Sequence, residues 1–347
     1  MRDSAEYVWF RLWRTKGIGP KSIAFAYNFF RSRSISAKEI KEIARSGLSK
    51  LVKSFPELEK PIFSKLNQKE KDTIYKEYEK VKNAGLTIIH PESQYYPENF
   101  IKYVERIGVS PIFFCKGDLS ILKKTGIAVV GSRNVSNEGV LITKNIASKL
   151  ARSGQNIVSG YAKGTDTAAH IGALEAGGTT TLVLSYGIDE FKIKKEFRDF
   201  NFKSDILIVT QFMPGEKWTA RSAMTRNMLV CALSEAVIII ESGPERDEKG
   251  KMSGTFNSAM TALKMRNKLF VLSPSALKQK PIGNGDIIKM GGIEIFPENV
   301  PSVILEKIPK NKEIEDGKEK EFFQMELNFG EVETVGNHWL RRPQPEL

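Results

Sequence analysis

The chain has 347 residues, with 53 Lys and Arg against 41 Asp and Glu, for a formal net charge of +12 at pH 7. That excess favours a polyanionic partner, either nucleic acid or an acidic membrane surface, and the length suffices for one large core or two modest ones. Two cysteines, Cys115 and Cys231, argue against a disulfide framework and fit a reducing, cytoplasmic setting. Three dispersed histidines, His90, His170 and His338, give no metal site. Met1 to Trp13 mixes charges as no secretory leader does, and no apolar run approaches a membrane span.

Residues 1–85 read as a small all-α domain. Tyr7, Phe10, Leu12 and Trp13 supply the apolar part of a first helix that stops at Lys16-Gly17, and a second helix is expected over Ser22 to Phe30. Between them lies Gly17-Ile18-Gly19-Pro20-Lys21, with Pro near the helix start. The arrangement resembles a helix-hairpin-helix, in which Gly17, Gly19 and Lys21 would contact DNA phosphates without reading sequence. Lys16 and Ala24 depart from that pattern, and a plain helix stop and restart fits the residues too. Short amphipathic helices are expected over Ser32 to Gln68, then a charged helix from Lys69 to Asn83 ending at Gly85.

From residue 86 the pattern changes to strand-length apolar runs. Leu86 to Ile89 is β-rich; Tyr95 and Tyr96 could stack on bases or pack a loop; Pro111 to Gly117 leads into the next strand, with Cys115 buried. Ile127 to Val130 is flanked by glycines and too short for a globular helix, so it reads as a buried parallel strand. A turn carrying Ser132, Arg133 and Asn134 follows, then a helix from about Asn137. The unit repeats with a strand at Asn156 to Ser159, a loop at Gly160 to Thr165, and a helix at Asp166 to Ala176 that Asp166 would cap. Two consecutive strand-loop-helix units imply a parallel sheet with right-handed crossovers. Their loops converge on one crevice with helix N-termini, where Ser132, Arg133, Ser159, Gly160, Lys163 and Thr165 suit a phosphate-binding rim better than a proton-transfer site.

Further strands are expected at Thr180–Ser185, Ile206–Val209, Ala236–Glu241 and Lys268–Leu272. A basic, aromatic helix is expected over Phe191 to Phe202, its cations flanking the cleft. A helix over Met228 to Ser234 is opened by residues 223–228, and a long charged loop, 242–252, delivers Ser253-Gly254-Thr255 to a helix N-terminus running through Lys264.

Several of these stretches together resemble the DprA/Smf family of DNA-processing proteins. They are Gly131-Ser132-Arg133, Ser159 to Asp166 with His170, Gly172 to Gly178, Val183 to Asp189, Arg226-Asn227, Ser253-Gly254-Thr255, and Gly283 to Ile288. The resemblance runs over roughly residues 86 to 300. It implies an α/β fold, an extended Rossmann-like, doubly wound, mostly parallel sheet (86–305), preceded by a sterile-alpha-motif-like helical module (1–85). It also implies a non-catalytic protein that binds single-stranded DNA, forms a homodimer through its late region, and helps load the recombinase RecA in transformation or repair. Arg133, Lys163 and Arg226 would then neutralise phosphates. Ser132, Ser159, Gly160, Gly164, Asn227, Ser253, Gly254 and Thr255 would line the site or donate to phosphate and base edges, and Asp166 and His170 would brace the loop. Ala223, Met224 and Met228 stand where the family has a Phe-Pro pair and a second arginine. No cofactor is implied.

Residues 306–347 read as a charged linker and tail, too short for the winged-helix domain that some family members append. Within the tail, Gln324, Met325, Leu327 and Phe329 resemble the short peptide that docks bacterial repair proteins on the sliding clamp, although a terminal strand folding back is the more ordinary reading of them. A second functional reading is a nucleotide sensor or phosphoribohydrolase-like enzyme on the same fold. That class uses a Pro-Gly-Gly turn, absent from the chain, and a glutamate for which Glu241 is the candidate.

Overall fold

In a computed structural model of the chain the strand-length runs assemble into one sheet. The structure describes residues 4–35, 39, 70–250 and 252–308. The strands are β1 (Thr87–Ile89), β2 (Phe113–Gly117), β3 (Gly126–Val130), β4 (Asn156–Gly160), β5 (Thr180–Leu184), β6 (Ile206–Thr210), β7 (Ala236–Ile239), β8 (Lys268–Leu272) and β9 (Ile293–Ile295). Their order is β1-β2-β6-β5-β4-β3-β7-β8-β9. Strands β3 to β9 are parallel, whereas β2 pairs antiparallel with both β1 and β6. The chain winds outward from β3 in both directions, so β4 lies on one side of it and β7 on the other.

Because side chains alternate across a strand, each run feeds two cores. Ile127, Val129, Ile157, Ile238 and Phe270 point to α5 (Asn137–Arg152) and α6 (Thr165–Glu175). Ala128, Val130, Val158, Val237 and Val271 point the other way, to α4 (Phe100–Ile107), α7 (Ala220–Ala232) and α8 (Gly254–Met265). Both faces are covered, which is why the strands read as continuous apolar runs. Beyond β8 lie α9 (Ile282–Lys289) and α10 (Ser302–Lys307).

The N-terminal helices α1 (Ala5–Arg14), α2 (Pro20–Ser32) and α3 (Glu70–Asn83) share a hydrophobic cluster with the sheet. Trp9, Phe10, Ile23, Phe30, Ile74 and Val81 meet Phe114, Leu182, Leu184, Ile206 and Ile208 there. Arg14 clamps Glu77 through two bonds of 2.7 and 2.9 Å, tying α1 to α3. Gly17 takes a left-handed φ of 83°, which reverses the chain between α1 and α2.

Four expectations need correction. Residues 191–202 form no α-helix, only a short 3₁₀ turn at Lys195–Phe197. No single helical face could hold Phe191, Phe197, Phe200 and Phe202, all of which pack on the same cluster. Helix α7 begins at Ala220, upstream of residue 228, because Thr219 and Ser222 form a reciprocal capping box. Gly164, not Asp166, is the N-cap of α6. Helix α4 was not expected; Phe100 and Val104, four residues apart, bury its inner face. Residues 306–307 end α10 rather than open a linker. The helices expected through Gln68 lie mostly outside the described residues, and the tail with Gln324, Met325, Leu327 and Phe329 lies wholly outside them.

Candidate nucleic-acid interface

The crevice of a doubly wound sheet opens at the carboxyl ends of its strands, where the winding reverses. Three loops are tied together there. Ser132 donates its backbone N–H to the Glu241 carbonyl after β7 at 2.9 Å. Its own carbonyl accepts from the Thr165 backbone N–H at 3.2 Å and from the Thr165 hydroxyl at 3.1 Å. Gly164 has a φ of 82°, and a Cβ there would lie 2.5 Å from the Arg133 carbonyl oxygen, so glycine is required both by conformation and by the approach of the β3 loop.

The β3 and β4 loops, with the loop after β5 and residues 218 and 226, bound a cleft of about 230 Å³ lined by Arg133, Tyr161, Ala162, Lys163, Ser185, Tyr186, Trp218 and Arg226. Three lining residues are cations and none is a carboxylate. Arg133 and Lys163 are exposed. Arg226 is different: it is only 6% exposed, and its Nη1 lies 3.5 Å from Asp166 Oδ2. Burial lowers the Arg226 pKa while Asp166 raises it, and a guanidinium so paired keeps its charge. Its Nε is buried without a hydrogen-bond partner. The guanidinium rests against Gly160, where a Cβ would come within 1.4 Å of Nη1.

Groups behind the cleft, Asp166, His170 and Lys194, hold the β4 loop in place. Asp166 Oδ2 accepts from the Ala162 backbone N–H at 3.3 Å. His170 is fully buried and donates from Nε2 to the Gly160 carbonyl at 2.6 Å, with Nδ1 2.6 Å from Thr180 Oγ1. Burial pushes its imidazole down to about 4, so it is neutral at physiological pH. Lys194 donates to the carbonyls of Tyr161 and Ala162 and to Thr167 Oγ1, each at 3.1 Å, and its Nζ sits 4.2 Å from the Tyr161 ring centroid. The cations of the basic run around Lys194 were expected to flank the cleft, whereas the Lys194 ammonium braces the loop that carries Lys163.

Other candidates stand elsewhere. Ser159 is fully buried and its hydroxyl donates to the Val129 carbonyl at 2.6 Å, so it joins strands instead of facing a ligand. Thr255 is buried too. Ser253 caps α8 by accepting from the Phe256 backbone N–H at 3.3 Å, and Asn227 donates to the Gly254 carbonyl at 3.1 Å. Asn227, Ser253 and Gly254 therefore form a group beside Arg226 that does not line the cleft. Gly17, Gly19 and Lys21 belong to the α1–α2 hairpin and do not line it either. Tyr96 packs on Phe113 and donates to the Pro111 carbonyl at 3.1 Å, leaving no ring for a base. Glu241 accepts from both the backbone N–H and the hydroxyl of Ser136, bracing the loop before α5. Trp218 went unmarked in the sequence; its signal was a lone large aromatic in the polar stretch Gly215 to Thr219. Among the described residues no cluster of His, Cys, Asp and Glu is placed to hold a metal, and no helix is long and apolar enough to cross a membrane.

Fold and cleft define a Rossmann-like α/β protein with a cationic crevice at the carboxyl ends of its strands. The family model for DNA recombination-mediator protein A matches residues 87–306, and the chain belongs to that family. It is 33% identical over 183 residues to the DNA processing protein DprA of Streptococcus pneumoniae, covering 52% of this chain and 61% of that protein. It is 24% identical over 347 residues to the protein Smf of Synechocystis, covering 96% of this chain and 80% of that one. The solved structure of the pneumococcal DprA superposes with a TM-score of 0.63 at 22% identity, over 89% of this chain and all of that one. A structure addressing the single-stranded DNA binding mode of the Helicobacter pylori protein gives a TM-score of 0.52 at 26% identity, covering 65% of this chain and 97% of that one.

Proposed function

We propose that the cleft binds single-stranded DNA through its phosphates and that the protein acts as a recombination mediator rather than an enzyme. The convergence of Arg133, Lys163 and Arg226 on one crevice, with no carboxylate among its lining residues, carries this reading. Arg133 and Lys163 are exposed enough to reach phosphates; Arg226, paired with Asp166, adds a fixed guanidinium to the cleft wall. The engagement of Glu241 with Ser136 speaks against its use as a ribohydrolase carboxylate. The membership of a family with a single-stranded-DNA-binding relative supports the choice of ligand.

The finer parts of the proposal follow the family. The protein would work in the cytoplasm, protect the strand, and help place RecA on it during DNA uptake or repair. It would act as a homodimer, for which exposed Ile282, Met290 and Phe296 in the late region supply apolar surface. Residues 1–85 would be an accessory module carrying a second phosphate contact at Gly17, Gly19 and Lys21, and 86–305 the binding domain. The tail peptide at Gln324, Met325, Leu327 and Phe329 would be a contact for a sliding clamp.

A gel-shift titration with single-stranded against double-stranded oligonucleotides across a salt series tests the ligand. Preferential retardation of the single strand, weakening steeply with salt, is expected. Saturable mononucleotide binding with no oligonucleotide shift would sink the proposal.

A further inference from the structure

We infer that Trp218 is the platform on which the cleft stacks an unpaired nucleobase, so that selection of single strands over duplex resides in this side chain. The inference rests on reading the cleft as a single-strand site.

The observation behind it is an indole left in solvent beside a cation. Trp218 is 50% exposed, whereas Trp9 is fully buried. Its ring centroid lies 5.7 Å from Arg133 Cζ, so the guanidinium offered to a phosphate sits next to a flat apolar surface. A nucleotide presents the same two chemistries at comparable separation, an anion and a planar π-face. Stacking on an aromatic ring is tolerant of base identity because every base has such a face.

The platform is held before any ligand arrives. On one side of Trp218, the Glu216 carbonyl accepts from the Gly187 backbone N–H at 2.8 Å, and the Glu216 carboxylate accepts from the Met213 backbone N–H at 2.9 Å. Gly215 donates its N–H to Asp189 Oδ1 at 2.7 Å. On the other side, Thr219 exchanges two bonds of 2.9 Å with Ser222 as the cap of α7. Only Lys217 and Trp218 lie between these anchors, so little chain entropy remains to be lost on binding.

The two halves of the cleft then differ in what they recognise. Arg133 and Lys163 would meet phosphates of single strands and duplexes alike. A base stacked and paired within a duplex has no free face to lay on Trp218, the most exposed of the three aromatic rings lining the cleft, so the indole distinguishes the two.

The test compares oligothymidylate with an abasic oligomer of the same length, by fluorescence anisotropy, for the wild-type chain, Trp218→Ala and Trp218→Phe. The wild type is expected to bind oligothymidylate about 5- to 150-fold more tightly than the abasic chain, the range of one base–aromatic stack. Trp218→Ala should bring oligothymidylate down to the abasic level without altering abasic affinity or the salt slope, and Trp218→Phe should fall between. Equal losses on both oligomers, or no loss in Trp218→Ala, would overturn the inference alone. Failure of the wild type to bind either oligomer in a salt-dependent way would overturn it together with the single-strand reading. A Trp218→Ala variant whose self-association falls while its oligothymidylate affinity holds would assign the indole to a second copy of the chain instead.

Discussion

Substitution of Gly160 by alanine probes the seat of Arg226 with a single methyl group. Built on the backbone, that methyl carbon lies 1.4 Å from Arg226 Nη1 and 2.4 Å from Asp166 Oδ2. Ordinary contact between such atoms is about 3.5 Å, so the guanidinium must retreat by about 2 Å. Arg226 is 6% exposed and its open side is the cleft it lines, so the retreat takes the guanidinium out of its buried seat 3.5 Å from Asp166. Losing the charged contact with Asp166 costs about 1.5–3 kcal/mol, a sizeable share of the roughly 5–15 kcal/mol that holds a domain folded. At about 2–4 °C per kcal/mol, Tm measured by calorimetry should fall by roughly 3–12 °C. Oligonucleotide affinity should fall with it, since the β4 loop that carries Lys163 starts at this residue. A double-mutant cycle isolates the cause: placed on an Arg226→Ala background, Gly160→Ala should lose most of its effect. An alanine variant with wild-type Tm, or one equally damaging when Arg226 is absent, would refute the reasoning.

Three further outcomes follow from the shell behind the cleft. The fold holds the imidazoles of His170 and His90 near pKa 4 by burial, below the ordinary 6.5. The unfolded chain therefore takes up protons first, so this stability is complete above pH 6.5 and lost as pH falls towards 4. Each histidine contributes about 3 kcal/mol at most, and His170→Gln should flatten urea-derived stability against pH in that window; an unchanged profile would contradict the assignment. Lys194→Met keeps the side-chain stem but leaves the Tyr161 and Ala162 carbonyls without their Nζ donor. It should cost about 1–3 kcal/mol and weaken oligonucleotide binding by loosening the Lys163 loop, whereas unaltered unfolding midpoints would show that the bonds contribute nothing. Thr219→Ala removes the cap of α7 and should cost about 0.5–2 kcal/mol in thermal unfolding, with no change expected only if Ser222 alone sustains the helix start.

The parallel sheet was legible because its strands are uniform apolar runs punctuated by glycine, as at Ile127 to Val130 and Ala236 to Ile239. The antiparallel β1–β2 edge was less so: Phe113 to Gly117 looks like its neighbours, and strand direction leaves no mark in five residues. Within the cleft, Arg133 and Lys163 could be placed from the sequence because each follows a strand at the point where its loop must begin. The Arg226–Asp166 pair could not, since it joins residues 60 positions apart through packing at Gly160. Ser159 was misplaced for a related reason. Residue type marks a serine as a donor, but only the pairing of β3 with β4 shows that its hydroxyl points to the Val129 carbonyl. The aromatic run 191–202 was visible as a feature and wrong as a helix, because burial of its phenylalanines overrode local periodicity.

The most direct measurement is the salt dependence of oligothymidylate binding by the wild-type chain and by Arg133→Ala with Lys163→Ala. Both residues are exposed, so the double variant should keep the wild-type Tm. Loss of two phosphate contacts should weaken binding strongly and reduce the slope of log K against log salt by about 1.4, at roughly 0.7 per single-strand contact. A double variant with wild-type affinity and an unchanged slope would place the DNA somewhere other than this cleft.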